Sequence, residues 1–494
     1  MKSKKIATAA LILLILAGTW TRFYHIGRES FRGDEIQTGY FVRTGIGNII
    51  KASGLERSNP PLYWIILYGW AKIFGYEDST LRIPSALFSI LAIWFMFLVG
   101  RRLFDPAAGL IAALLTAGST FHLYYAQDAR NYSLLLLLTL FSIWAFLRVI
   151  QEGRPWSFFV YGTASILLAY THLYGLFTIA AQGLFFLLYW NKHRPFRRAY
   201  LFTMLTVGTA YLPMGWLLRE KTILILEKGF WISHPTLETI VRIFLKYAGS
   251  AHDGAWILIP FCLFFLIGII PSQRTPQSRI ESRNGNLFSS SPPKSAADIN
   301  SSLVLTLLCF SVPIITPFLL SQFMTPIFVY RYTIGASAAF YLLAARGISR
   351  LKSKVLLPIA IGFFIAASVF SMSDYFTHPN KEPWRESAAM LAEHLQPEDT
   401  VLFYPEGAKK FIEYYHPVQV PTAFLSRKAN ETQIVRAVES IKPEKGTLWL
   451  IMRRPRSSAI PDCIIKHFGE NTSTEPIRRQ EIHIYRFRIR PSGM

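Results

Sequence analysis

The chain has 494 residues, 51% of them hydrophobic and 15% aromatic, and a formal net charge of +22. Its apolar residues lie in long runs, which excludes a single soluble core and reads as an integral membrane protein. Much of the positive excess sits in short loops between those runs, so it is read as membrane topology and no nucleic-acid partner is expected.

The first run centres on residues 11–16 and follows Lys2, Lys4 and Lys5. No small-x-small cleavage site follows and many more apolar runs do, so it reads as a retained span rather than a cleaved signal. A span needs roughly 20 apolar residues. Runs of that order lie at 6–21, 82–100, 107–124, 132–150, 157–173, 175–190, 200–218, 255–271, 303–321, 330–345 and 354–372, which predicts about eleven transmembrane helices.

With the N-terminus cytoplasmic, alternate loops carry the basic residues: Arg101 and Arg102, then 148–154, then 192–198, then 274–283, then 346–354. That parity puts Asp34, Asp128, His172, Arg331 and everything after about residue 373 outside. Residues 61–74 are apolar but short and rich in Tyr and Trp, and read as an interfacial helix, as do 229–247 with Trp231. Residues 272–302 have the composition of a disordered cytoplasmic loop.

Two domains are therefore expected: a multi-span catalytic domain over 1–372 and a small extracytoplasmic α/β domain over 373–494. In the second, helices are predicted at 384–395, 408–415 and 430–441, the last with an Asn430/Gln433 capping box. Strands are predicted at 400–404, 448–452 and 482–489. Cys262 and Cys309 fall in apolar runs and Cys463 lies near the C-terminus, so neither a disulfide framework nor a metal cluster is expected.

Three outer-side clusters carry the candidate chemistry. Asp34 and Glu35 follow the first span, where a carboxylate can deprotonate an acceptor hydroxyl or hold a divalent cation; the plain alternative is a solvated loop acid or a helix N-terminal charge. Residues 124–133 join the third and fourth spans and hold Asp128, Arg130 and Tyr132. There Asp128 and Tyr132 would share a helix face, and the structural alternative makes Asp128 a helix N-cap. Arg331, flanked by Tyr330 and Tyr332, suits a phosphate or diphosphate because a guanidinium binds two oxygens at once, or else snorkels from an aromatic belt. His172, His252 and Asp253 are further polar points, more ordinary as structural residues than as ligands. No metalloprotease, phosphate-loop or dinucleotide motif has a credible context.

Taken in order, the Asp34-Glu35 pair, Asn59-Pro60-Pro61-Leu62-Tyr63, Leu81-Arg82-Ile83-Pro84-Ser85, residues 127–132 from Gln127 to Tyr132, and Tyr330-Arg331-Tyr332 resemble the GT-C glycosyltransferases that use polyprenyl-phosphate sugars. These include the protein mannosyltransferases and the lipid A aminoarabinose transferases (families 39 and 83), and the resemblance covers roughly residues 6–372. It implies a GT-C-like polytopic fold and transfer of a sugar from a polyprenyl-phosphate donor to a lipid, glycan or protein acceptor by an inverting single displacement. It makes Asp34 the first-loop catalytic carboxylate and candidate general base, with Glu35 beside it. Asp128, Arg130, Tyr132, Arg331, Tyr332, Asn59 and Arg57 fall to donor binding. A divalent cation, Mg²⁺ or Mn²⁺, would be held by Asp34 or Asp128. The family often has His or Lys where this chain has Asn59, so a charged contact to the donor phosphate is either missing here or supplied by Arg57.

The competing readings are a lipid-linked glycan ligase or polymerase, which carries its key groups in a large late outer loop, and a transporter or flippase, which places charges near mid-membrane. The acids here come early and the spans are uncharged in the middle. A bacterial or archaeal plasma membrane is the expected location.

Overall fold

The computed structural model describes residues 2–55, 60–228, 232–249, 255–272, 296–441, 446–454, 459–468, 477–479 and 481–488. The chain forms two compact units, Met1–Ile26 with Phe41–His378, and Gly27–Tyr40 with Pro379–Met494. The division expected at 372/373 thus falls near His378, and the segment carrying Asp34 and Glu35 groups with the C-terminal residues.

The first unit is helical, and every one of the expected apolar runs coincides with a helix. Among the described residues, six helices are long and apolar enough to cross a membrane: Lys5–Phe23, Asp78–Leu103, Tyr132–Glu152, Arg194–Arg219, Asp298–Phe323 and Leu356–Thr377. A bent pair, Pro106–Ala117 with Thr120–Ala126, makes a seventh if it is one span. The count of eleven is therefore not confirmed. Pro155–Ala169, Tyr174–Leu188 and Trp256–Ile269 are apolar but shorter, and Ile334–Ser349 has 16 residues. Hydropathy ran on through apolar turns such as 170–173, where the backbone is no longer helical.

The bend of 61° sits at Gly118 and Ser119, inside what the sequence reads as one span. Ser119 caps the second piece by accepting from His122 N. Arg22, fully buried, answers the first: its guanidinium donates to the Thr116 and Ala117 carbonyls at 2.9 and 2.7 Å. Irregular backbone at membrane depth needs such internal partners, because lipid supplies none.

Other corrections are local. The helix predicted from 330 starts at Ile334, preceded by a 3₁₀ turn over Tyr330–Thr333. Residues 296–302, expected to be disordered, open the Ala296–Phe323 helix; the rest of that loop, 273–295, lies outside the described residues. So do Trp231, His252 and Asp253. The Leu62–Phe74 helix forms over 13 residues, too short to span.

The second unit contains a five-stranded sheet of order β2-β1-β3-β5-β4. Its strands are β1 (Thr400–Tyr404), β2 (Thr422–Phe424), β3 (Thr447–Arg453), β4 (Ile477–Arg479) and β5 (Ile482–Arg488). β1 runs parallel to β2 and β3, whereas β5 is antiparallel to β3 and β4. β1 and β3 are apolar and buried along nearly their whole length, as central parallel strands covered on both faces must be. Around them lie the Trp384–His394, Ala408–Tyr415, Glu431–Glu439 and Ala459–Phe468 helices. The predicted capping box forms, with Gln433 N donating to Asn430 Oδ1 at 2.9 Å and Asn430 N to Gln433 Oε1 at 3.1 Å.

Candidate active site

In the first unit, the motifs that lie far apart in sequence are joined by one chain of hydrogen bonds. Ser85 Oγ donates to the Arg130 carbonyl at 3.1 Å, so the Tyr63 hydroxyl, 2.8 Å away, is the donor to Ser85. Asn131 Nδ2 donates to the Thr171 carbonyl at 2.7 Å, and Leu62 N donates to the Tyr170 carbonyl at 3.1 Å. Arg331 Nε donates to the Tyr132 hydroxyl at 3.0 Å, across 199 positions. The Pro-Pro corner, the Ile83-Pro84-Ser85 stretch in the first turns of the Asp78–Leu103 helix, the 127–132 connection, the Thr171-His172 turn and the Tyr330–Thr333 turn thus meet in one place.

The connection itself is not helical. Asp128 lies between the Thr120–Ala126 and Tyr132–Glu152 helices, and the N-cap of the latter is Asn131, not Asp128. Asp128 and Tyr132 therefore share no helix face. Asp128 is fully buried, and Arg130 and Asn131 are nearly so. Gln127 anchors the segment: Nε2 donates to the Arg22 and Tyr24 carbonyls at 3.2 and 2.7 Å, and Oε1 accepts from the Tyr375 hydroxyl at 3.1 Å. A glutamine meets these groups without adding a buried charge.

Arg331, half-buried, stands at the edge of an aromatic cluster. Its guanidinium carbon is 5.3 Å from the Tyr332 ring centre. Tyr332 in turn lies 4.8 Å from His172, 5.5 Å from Tyr174 and 6.3 Å from Tyr132. His172 Nδ1 accepts from Tyr174 N at 3.1 Å, so a neutral ring carries its proton on Nε2. Such a setting lowers the local dielectric around the guanidinium and strengthens any anion contact it makes. In the sequence His172 reads as an ordinary structural residue; its Thr171-His172-Leu173-Tyr174 turn is legible there, but its partnership with Tyr332 is not.

In the second unit, Asp34 and Glu35 open the Gly33–Thr44 helix and face different surroundings. The Asp34 side chain is 41% exposed, with Arg32 Nη2 3.8 Å away. Glu35 is fully buried: Lys381 Nζ stands 2.9 Å from its Oε2, which also accepts from Arg32 N at 3.1 Å. Glu35, expected to share catalysis with Asp34, is in the structure half of an internal ion pair. Beside it, Glu382 accepts from Arg453 Nε and the Trp384 indole, both at 2.8 Å. Burial pushes the Glu382 carboxyl up, but the hydrogen bond and charge of Arg453, with the Trp384 N–H, outweigh it and hold the group below the ordinary carboxylate range.

Arg57 and Asn59 lie outside the described residues. Cys463, for which the sequence suggests no metal cluster, lies 3.8 Å from His467 Nδ1, and Glu431 Oε1 is 3.6 Å from His467 Nε2. The Lys466 ammonium already sits 2.8 Å from Glu431 Oε1, which makes this a surface ion-pair cluster.

The model of the dolichyl-phosphate-mannose-protein mannosyltransferase family matches residues 58–216. That stretch holds Asn59, Asp128, Arg130 and Tyr132, and leaves out Asp34, Glu35, Arg331 and Tyr332. A Bacillus subtilis (strain 168) protein named "Putative mannosyltransferase YycA" is 24% identical over 160 residues, 31% of this chain. The match spans only 23% of that relative's own length. Among solved structures, apo ArnT from Cupriavidus metallidurans superposes with a TM-score of 0.61 at 13% identity, over 97% of this chain and 98% of ArnT. ArnT has also been solved bound to undecaprenyl phosphate. The Archaeoglobus fulgidus oligosaccharyltransferase superposes with a TM-score of 0.56 at 12% identity, over 93% of this chain and 70% of that one. The resemblance carried by the motifs is thus met by the fold, and the chain has the architecture of the GT-C glycosyltransferases.

Proposed function

We propose that the chain is a multi-pass membrane glycosyltransferase. It moves a sugar from a polyprenyl-phosphate donor to a lipid, glycan or protein acceptor at the outer face of a plasma membrane, by a single inverting displacement. The observation that carries this reading is the junction in which Tyr63, Ser85 and Arg130 are hydrogen-bonded in series, Asn131 holds the Thr171 carbonyl and the Tyr132 hydroxyl receives Arg331. Five motifs spread over the chain converge there on an arginine among aromatic rings, in a fold that ArnT shares. The undecaprenyl phosphate bound by ArnT supports the donor class.

Asp34 takes the proton of the acceptor hydroxyl as that oxygen bonds to the anomeric carbon. The bond from that carbon to the donor phosphate breaks, and its electron pair stays on the phosphate oxygen. Charge therefore develops on the phosphate, and a guanidinium that binds it more strongly in the transition state than before lowers the barrier. Arg331 takes that role, with the Tyr132 hydroxyl holding its Nε end. Glu35, being buried and paired, has a positioning role.

A divalent cation enters the proposal as a ligand of Asp34 or Asp128, where it would neutralise the leaving phosphate. Among the described residues neither acid gathers two further Asp, Glu, His or Cys ligands, so such an ion would rely on water and phosphate oxygens, as Mg²⁺ commonly does.

The test is sugar transfer by right-side-out membranes carrying the wild type or Asp34→Asn, supplied with a panel of radiolabelled polyprenyl-phosphate sugars. General-base help is worth about 10² to 10⁴ in rate, and Asp34→Asn is expected to lose about that much while remaining folded. Full transfer by Asp34→Asn would rule out the base; no transfer by the wild type from any donor would favour the ligase or transporter readings.

A further inference from the structure

The motifs give the C-terminal residues no task, yet these residues hold the segment that carries Asp34. We propose that the C-terminal unit is the positioning frame of Asp34 and that the buried Glu35–Lys381 pair is its pin. The proposal rests on the reading of Asp34 as the base.

Asp34 and Glu35 are successive residues in the first turn of a helix, so their side chains leave the axis about 100° apart. Fixing the direction of one fixes the direction of the other. Glu35 points inward to Lys381, a residue 346 positions away, and both side chains are at most 1% exposed. Asp34 consequently points outward, where an acceptor can reach it. A buried pair of this kind is a poor source of stability compared with apolar side chains of the same volume, so its value here is in selecting one arrangement.

The segment is held on both sides of Asp34. Ahead of it, Ser30 Oγ donates to the Glu382 carbonyl at 2.7 Å and Phe31 N to the Tyr415 hydroxyl at 2.6 Å. Behind it, the Tyr40 hydroxyl donates to the Lys410 carbonyl at 3.1 Å. Two glycines allow the approach. A β-carbon on Gly33 would lie 3.0 Å from the Phe411 ring and 3.4 Å from Arg453 Nη2, and one on Gly39 would overlap the Tyr414 hydroxyl and ring. Lys381 is followed directly by Glu382, which grips Arg453 and Trp384, so the pin is set in a rigid part of the unit.

The experiment uses the full chain in lipid nanodiscs, with the donor that the wild type accepts. Lys381→Met keeps the side-chain length and leaves Glu35 without its ion pair. Misplacing a reacting group by about an ångström can cost roughly 10²-fold, so kcat per folded molecule is expected to fall by that order with the donor KM unchanged. Amide exchange over residues 27–40 is expected to quicken, while β1 and β3 keep their protection. The double variant Glu35→Gln/Lys381→Gln, which replaces the ion pair by an uncharged hydrogen bond and keeps the cap on Arg32 N, is expected to regain roughly tenfold over Lys381→Met, the equivalent of one ordinary hydrogen bond. Wild-type kcat in Lys381→Met, or unchanged exchange over 27–40, overturns the proposal. If Lys381→Met does not fold, Lys381→Arg and the double variant carry the same comparison. Transfer retained by Asp34→Asn sinks the base reading alone, because the exchange measurement reports on the pin without any activity.

Discussion

Arg331 reaches Tyr132 through Nε, the nitrogen that points away from the terminal fork of the guanidinium. A hydrogen bond to a charged group is worth about 1.5–3 kcal/mol, most of it felt when one partner is removed. Tyr132→Phe keeps the ring and its stacking on Tyr332 and deletes only the hydroxyl, so donor kcat/KM is expected to fall by roughly 10- to 100-fold. Arg331→Lys is expected to be at least as damaging although it keeps the charge, since an ammonium cannot supply both the Nε contact and a two-pronged hold on phosphate. Steady-state kinetics on the two variants decide this: wild-type kcat/KM in Arg331→Lys would reduce Arg331 to a point charge, and in Tyr132→Phe would leave the hydroxyl without a function. The two residues were each visible in the sequence beside other tyrosines. Their pairing was not, because nothing local ties position 132 to position 331.

At the scale of elements, close helix packing depends on glycines that hydropathy cannot distinguish from spacers. Where the Ala255–Ile269 and Ile334–Ser349 helices touch, a β-carbon on Gly347 would run into the Phe264 carbonyl, and one on Gly268 into the Leu343 carbonyl. Both obstacles are backbone, which cannot swing aside as a side chain does. Small residues at such crossings let membrane helices approach closely, and packing is the main force joining them in lipid. Gly347→Ala is therefore expected to destabilise the first unit by about 1–3 kcal/mol, whereas Gly362→Ala, with open space around it, is expected to be neutral or slightly stabilising. Thermal midpoints of the purified variants check this; equal midpoints would mean that the crossing relaxes.

The same contrast explains which elements were legible. β1 and the Ala408–Tyr415 helix carry their own period and length, and the Asn430/Gln433 box is a signal four residues long, so all were read from the chain at their observed places. β2 and β4 have three residues each, too few for any period to show. The break at Gly118 lies in apolar sequence, and what permits it is Arg22, about 95 residues earlier in the chain. Several of the expected spans fall on helices shorter than their apolar runs for a related reason: apolar turns extend a hydropathic run without extending the helix.

At the scale of the whole molecule, the grouping of Gly27–Tyr40 with Pro379–Met494 means that the first acidic pair and the last domain are one folding problem, which no linear reading of spans and loops would reveal. Stability of this unit should then depend on acid through its buried carboxylates. Glu382 titrates below the ordinary carboxylate range in the folded unit, and an unfolded glutamate titrates at about 4.3. A group whose pKa is depressed by folding contributes stability that is complete above its unfolded value and is lost as the pH falls through its folded value. The unit is therefore expected to weaken on acidification below about pH 4.3, with no matching loss on the alkaline side from this group. Amide exchange of β1 and β3 as a function of pH measures it on the full chain. Glu382→Gln cannot ionise, so it is expected to be less stable at neutral pH, where the charge pairing with Arg453 is missing, and to show a shallower decline in acid. A decline as steep as that of the wild type would assign the acid sensitivity to other carboxylates of the unit and leave Glu382 as a hydrogen-bond acceptor for Trp384 and Arg453.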